Sequence, residues 1–351
     1  MTKPKIIAFY LPQYHTIPEN DEWWGKGFTE WTNVKKAKPM FFGHNQPRVP
    51  LNDNYYDLMN PNTFTWQVEL ANQYGVDGFC FYHYWFNGKL LLEKPLELYL
   101  GHKEWNKNYC FSWANEPWAR TWDGREKDVL MPQSYNGTYD IKNHFDYLLP
   151  FFKDKRYIKI DNKPIFVLYR ANSITYLEEM IKEWNKMALA AGFNGVYFVE
   201  TLTGFSKEKN SNNTQATVYM EPMFMLEQRD FIHRALSVWK SPKLRNQRVS
   251  YNYIWNKIIA EEKLSISSWG GAFCDWDNSP RKKKRNLVFK GVNAKSFKRH
   301  FSKLYSKSKE NDVPFIFFNA WNEWAEGTYL EPDEENKYIY LEIIKEIVEN
   351  D

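Results

Sequence analysis

At 351 residues, 43% hydrophobic and 26% charged, the chain has an ordinary globular composition and ample length for one sizeable core. Its 47 basic and 43 acidic residues leave a net charge of +4, which gives no case for a general nucleic-acid binder, whose domain would be strongly basic. Three widely spaced cysteines, Cys80, Cys110 and Cys274, lie in or beside apolar runs, which fits buried free thiols and argues against a disulfide framework or zinc site.

The opening MTKPKIIAFYLPQYH holds an apolar stretch that is short for a signal peptide and lacks a small-residue cleavage site. No run approaches the ~20 apolar residues of a membrane span, so cytoplasmic residence is expected. Aromatic content is high: 16 Trp, 23 Tyr and 25 Phe make 18% of the chain. Some rings must be core, yet others stand in polar surroundings such as Trp23-Trp24-Gly25. Sugars present flat C–H faces that such rings cover, so the excess tilts toward a carbohydrate site, with aromatic-rich structural loops as the alternative.

No linker, low-complexity tract or repeat divides the chain, and a single domain over 1–351 is expected. In chain order, short apolar runs that read as strands fall at 5–10, 76–82, 109–113, 165–169, 196–200, 216–220, 271–274 and 315–319. They are continuous rather than alternating, as in a parallel sheet covered on both faces. Helical patterns lie between them at 63–74, 141–152, 174–191, 251–262, 294–307 and 335–348, with a weaker one at 94–101 ahead of the third strand. Gly75 and Gly192 stand where helix C-caps belong. The pattern is that of an α/β protein, a (β/α)8 TIM barrel.

Barrel active sites form at the C-terminal ends of the strands. Those ends read Tyr10-Leu11-Pro12-Gln13-Tyr14-His15, Tyr82-His83-Tyr84-Trp85, Trp113-Ala114-Asn115-Glu116-Pro117-Trp118, Tyr169-Arg170, Glu200-Thr201, Glu221-Pro222, Asp275-Trp276-Asp277-Asn278 and Asn319-Ala320-Trp321-Asn322-Glu323-Trp324-Ala325-Glu326-Gly327. Nearly every strand exits into a polar or aromatic cluster. The expected hydroxyl-binding and ring-stacking set is therefore Tyr10, Gln13, His15, His83, Trp85, Trp113, Asn115, Glu116, Trp118, Glu221, Asp275, Asp277, Trp321, Asn322 and Trp324.

Glycosyl transfer needs a proton donor and a second carboxylate. Glu323 and Glu326, three apart, would face opposite ways on a strand but could share a face in a turn, which Gly327 would ease. Two close carboxylates do not both ionise freely, so an acid/base division becomes available. The alternative is an exposed pair at a helix start; the flanking Trp321 and Trp324 favour a site. Glu116, in Asn-Glu-Pro, offers a rival as general acid, although it follows the third strand by this count and that tripeptide belongs on the fourth.

Asp275, Asp277 and Asn278 lack the further ligand spacing of a metal site, and no metal or cofactor is expected. The basic run from Arg281 to Arg285 reads as a solvated face, with contact to anionic lipid or a diphosphate-linked glycan as the sharper alternative. No GxGxxG, P-loop or HExxH pattern is present.

The segments FYLPQYH, WGKGFTEW, FYHYWF, WANEPW, the stretch from Trp276 to Arg281 and FNAWNEWAEGTYLEPD together resemble the WbsX-type proteins, which are glycoside hydrolase family 99-like and are often encoded with O-antigen and capsule assembly genes. The resemblance runs from about residue 4 to 345. It implies a (β/α)8 fold and action on a bacterial surface polysaccharide or its precursor. By analogy with family 99 endo-mannosidases, Glu323 would deprotonate a sugar 2-hydroxyl, which attacks the anomeric carbon to give a 1,2-anhydro sugar. Glu326 would serve as acid and then base, and Glu116 would bind substrate. Family 99 carries His where Ala325 stands here, which leaves mannose specificity and hydrolysis itself open. The alternatives are a glycosyltransferase of lipopolysaccharide or capsule biosynthesis and a non-catalytic glycan-binding protein.

Overall fold

Continuous apolar runs that bury both faces can satisfy their backbone only by pairing on both edges, and here they do so by closing on themselves. The computed structural model describes residues 3–120, 125–135, 137–239, 246–282 and 284–350. Its eight parallel barrel strands are β1 (Lys5–Tyr10), β2 (Gly78–Phe86), β3 (Asn108–Trp113), β4 (Lys163–Leu168), β5 (Tyr197–Leu202), β6 (Ala216–Tyr219), β7 (Ser268–Ala272) and β8 (Phe315–Phe318). Closure is made by β1, which registers Ile7 against Gly78 on one side and Lys5 against Phe315 on the other.

Around the barrel lie α1 (Pro61–Gln73), α2 (Lys94–Gly101), α3 (Thr138–Lys153), α4 (Leu177–Ala190), α5 (Tyr251–Glu261), α6 (Ala294–Glu310) and α7 (Ile339–Asn350). Local chemistry starts several of them: Asn60, Ser250 and Asn293 each accept a hydrogen bond from a backbone N–H of the first turn they cap. The expected fold class is therefore the observed one. Two strands differ from expectation by three residues or more at one end. β2 continues to Phe86 rather than ending near 82, and β7 begins at Ser268 rather than at 271 because Trp269 is buried against Tyr197 and Phe317.

No helix follows β5. Instead the buried Glu200 side chain accepts from the N–H of Asn210 at 2.7 Å, the N–H of Ser211 at 2.9 Å and the Thr214 hydroxyl at 2.7 Å, so residues 203–215 fold around one carboxyl group. At the opposite, N-terminal end of the barrel, Arg156 donates to the carbonyls of Tyr99, Leu100, His102 and Trp105 and to Asp154 at 2.8 Å. That side chain satisfies the carbonyls left open at the end of α2.

The aromatic excess is mostly explained here. Trp113, Trp184, Trp255, Trp269, Trp321 and Trp324 are fully buried, which corrects the expectation that Trp113, Trp321 and Trp324 stack on a sugar. Cys80, Cys110 and Cys274 are free and buried. Among the described residues, no helix is long and apolar enough to cross a membrane.

Candidate active site

Beyond β8 the chain makes a two-residue strand, Asn322–Glu323, that pairs antiparallel with Thr328–Tyr329 across a 3-10 turn, Trp324–Glu326. Gly327 closes the turn at φ +64, where a β-carbon would come within 2.8 Å of the Asp277 side chain. The turn is pinned from all sides. Asn322 accepts from the Leu11 N–H at 2.8 Å and donates to the Leu11 carbonyl at 3.1 Å, and the Asp277 N–H donates to the Glu326 carbonyl at 2.7 Å. The Trp324 indole donates to buried Glu331 at 2.7 Å.

This turn places Glu323 and Glu326 on one guanidinium. Arg281 donates through Nη2 to Glu323 at 2.9 Å and through Nη1 to Glu326 at 2.6 Å. Its Nε and Nη2 also reach a third carboxylate, Glu30, at 3.0 and 2.7 Å. Glu30 opens the helix Glu30–Lys36, is wholly buried, and is set in place by its own N–H donating to the Gln13 carbonyl. One cation thus serves three carboxylates, an arrangement that favours retention of a proton in the cluster. Burial pushes Glu323 up to about 8, with Glu326 and Glu30 adding to the rise and Arg281 opposing it. Glu30 is raised as well, by burial against the counter-pull of Arg281.

The three groups differ in access. Glu30 is sealed, the Glu323 side chain is 8% exposed and the Glu326 side chain 25%. Glu323, Glu326 and Arg281 line a cleft of about 240 Å³ together with Tyr82, Tyr84, Phe86, Glu116, Trp118 and Tyr169. Glu116 forms an ion pair with Arg170, and burial raises its pKa with Glu326 contributing. It follows β3 in the closed barrel, so no earlier strand was overlooked in placing it.

Strand parity separates the expected residues that meet here from those that do not. Along β2, Tyr82, Tyr84 and Phe86 face the cleft, whereas His83 and Trp85 turn to the helix layer. His83 Nε2 lies 2.8 Å from that of His144, and burial pushes its pKa down to about 3. Trp85 donates to Asp140, and Trp113 packs against His144 and donates to the Trp85 carbonyl. Tyr10 donates to Gln67 within an aromatic cluster under α1.

Other expected residues hold loops. Asn115 bridges the backbone of Arg170, Asp275 pairs with Arg48 at 2.6 Å, and Asp277 accepts from Gln46 at 2.7 Å and pairs with His44 at 2.7 Å. Trp321 and Trp324 are buried, as are Gln13 and His15. Glu221 is buried too, where it accepts from the Met225 N–H and burial pushes its pKa up to about 8. Of the expected set, Glu116, Trp118, Glu323 and Glu326 line the cleft.

Arg281, Glu30, Tyr82, Tyr84 and Tyr169 were not among the expected site residues. Arg281 is also a correction to the reading of the basic run as a solvated face, since three carboxylates surround it; Lys283 of that run lies outside the described residues. The signal available was the proximity of Glu30 and Arg281 to tryptophans, in Phe28-Thr29-Glu30-Trp31 and Trp276-Asp277-Asn278-Ser279-Pro280-Arg281.

A closed parallel barrel with a carboxylate cluster at the strand C-termini has the architecture of the (β/α)8 enzymes. The chain belongs to the WbsX family, whose model, described as glycosyltransferase WbsX, matches residues 6–344. It is 31% identical over 350 residues to the uncharacterized protein WxcX of Xanthomonas campestris pv. campestris, matching 97% of this chain and 49% of that protein. The chain thus spans about half the length of the curated relatives it matches. Among solved structures, a glycoside hydrolase-like protein superposes with a TM-score of 0.60 at 13% identity, covering 99% of this chain and 94% of the other. A family 99 endo-α-mannosidase from Bacteroides thetaiotaomicron, in complex with bis-tris propane, gives 0.56 at 14% identity, covering 100% and 98%. These likenesses bear on the fold.

Proposed function

We propose that the chain is a glycosidase-type enzyme, a single catalytic domain that breaks or transfers glycosidic bonds in a bacterial surface polysaccharide (O-antigen or capsule) or its precursor, with Glu323 and Glu326 as its catalytic pair. The observation that carries this reading is the convergence of both glutamates on Arg281 at the edge of an aromatic cleft.

In the mechanism we favour, Glu323 takes the proton of the sugar 2-hydroxyl, and the oxygen so freed attacks the anomeric carbon. Glu326, the more exposed of the two, delivers a proton to the departing glycosidic oxygen. In the second step Glu326 takes a proton from water, which opens the 1,2-anhydro ring, and Glu323 returns its proton to the 2-oxygen. A carboxyl whose pKa is raised toward neutrality is the stronger base for such a task. Arg281 holds the two carboxylates in place and offsets their charge. Glu116, paired with Arg170, would bind substrate hydroxyls across the cleft, with Trp118 and Tyr84 covering a sugar face.

The test is mass-spectrometric analysis of the source organism's surface polysaccharide after incubation with the purified protein or with its Glu326→Gln variant. Shorter oligosaccharides from the wild type alone are expected. Absence of cleavage, with chain extension once sugar nucleotides are supplied, would make the protein a transferase, as the name of its family has it, and would overturn the hydrolytic mechanism.

A further inference from the structure

Arg281 borders a second hollow. A groove of about 750 Å³ adjoins the catalytic cleft, with Arg281 as the shared wall, and its lining includes Trp24, Phe28, Lys36, Lys38 and Lys282. That volume lies within the roughly 300–1,000 Å³ of small-ligand sites. The groove has a definite origin in the chain. Helix Glu30–Lys36 supplies Glu30 to Arg281 at its first residue and Lys36 to the groove at its last, and the segment after Asn278 supplies both Arg281 and Lys282.

The charge on these walls is one-sided. Arg281 is taken up by three carboxylates, whereas among the described residues no carboxylate lines the groove or pairs with Lys36, Lys38 or Lys282. In a chain of 47 basic and 43 acidic residues, three uncompensated lysines around one concavity form a local departure that focuses positive potential into it. The half-buried Trp24, backed by the buried Phe28 at a ring-centroid distance of 5.9 Å, adds an apolar surface of the kind that covers a sugar face. Cations alone would suit any anion. Cations over an aromatic floor, one residue away from the catalytic pair, suit an anionic sugar within the chain being cut.

We infer that this groove is a substrate subsite for an acidic sugar, one bearing a carboxylate or phosphate group, next to the bond on which Glu323 and Glu326 act. The inference rests on the proposed glycosidase reading for its placement but not for its binding chemistry. Substrate polysaccharides would then be anionic, with Lys36, Lys38 and Lys282 reading the charge and Trp24, supported by Phe28, the ring.

The experiment is titration calorimetry of the full chain with tetragalacturonate and tetramannuronate, each against its carboxyl-reduced neutral counterpart, and with a sugar-free uridine diphosphate control. The acidic member of at least one pair is expected to bind tenfold or more tightly at low salt. That preference should collapse in a Lys38→Gln/Lys282→Gln variant of unchanged melting temperature, and shrink at high ionic strength. Equal binding within both pairs, binding of neither acidic probe, or a preference that survives the double substitution would overturn the inference. Uridine diphosphate binding through the same lysines, without acidic-oligosaccharide binding, would also overturn it and would assign the groove to a nucleotide. Acidic binding without cleavage of any polysaccharide would leave the subsite standing and remove the hydrolytic function, so the two failures are separable.

Discussion

At the scale of single residues, the decisive feature is one arginine shared by three glutamates of graded burial. Replacing Glu323 or Glu326 by Gln is expected to lower kcat at least 100-fold while the protein still folds, as is typical for the loss of one acid or base. Near-normal turnover in either variant would remove that residue from the chemistry. The pH profile distinguishes their roles. If Glu323 acts as the base, kcat/KM climbs as pH rises through about 8, because only the ionised form accepts a proton. A fall across the same range would mark Glu323 as the acid instead.

Stability should respond with the opposite sign. The folded-state pKa of Glu323 lies above the ordinary glutamate value, so its contribution is fully present below that ordinary value and is lost as pH rises through about 8. Glu323→Gln stays neutral and leaves Arg281 with Glu30 and Glu326. Relative to the wild type it should gain on the order of 2 kcal/mol between pH 5 and 9. Denaturant melts at both pH values would show the gain, and its absence would mean that the Glu323 carboxyl is not held protonated.

At the scale of elements, the turn after β8 is a device for aiming two carboxylates. Their spacing of three would put them on opposite faces of a strand, and the 3-10 turn Trp324–Glu326 brings both to Arg281. Gly327→Ala would place a β-carbon 2.8 Å from the Asp277 side chain and 2.9 Å from its nitrogen, at a φ that alanine resists. Asp277 cannot easily retreat, since it is paired with His44 and its N–H is bound to the Glu326 carbonyl. The substitution should cost about 1–3 kcal/mol and reduce kcat at least tenfold by displacing Glu326. A variant with unchanged melting temperature and rate would show that the turn is looser than this contact implies.

At the scale of the whole molecule, the carboxylate cluster and the Arg156 tie stand at opposite ends of the barrel. Arg156 ties α2, Asp154 and the start of β3 together at the end away from the carboxylates, and holds the Asp154 pKa below the ordinary range. Arg156→Met leaves Asp154 with only the exposed Lys103 as a charged partner, and removes a donor from four carbonyls, of which those of His102 and Trp105 keep a backbone N–H. It should cost about 3–5 kcal/mol in equilibrium unfolding. The kcat of the folded fraction and its pH profile should not change. A shifted pH profile would mean that the two ends are coupled.

What the sequence determined by itself was the set of buried strands; the glutamate pair was visible in it as a candidate, and the turn after β8 brings both side chains to Arg281. Continuous apolar runs such as Ile6–Phe9 within β1 announce a sheet covered on both faces whatever surrounds them, and the order of runs and helical patterns then implies the barrel. The sequence could not settle which way a side chain points where a strand runs on. A strand ending near 82 leaves His83 and Trp85 free to face a site; continuation of β2 to Phe86 turns them into the helix layer and puts Tyr82 and Tyr84 in the cleft. Tryptophans beside a glutamate pair read alike whether they stack on sugar or, as Trp321 and Trp324 are, lie buried by the turn. The union of Glu30 with Arg281 spans 251 residues and lies between two connecting segments, so no local pattern encodes it. Only closure of the barrel brings those segments to the same end, and there the cost of burying a lone charge is met by pairing it.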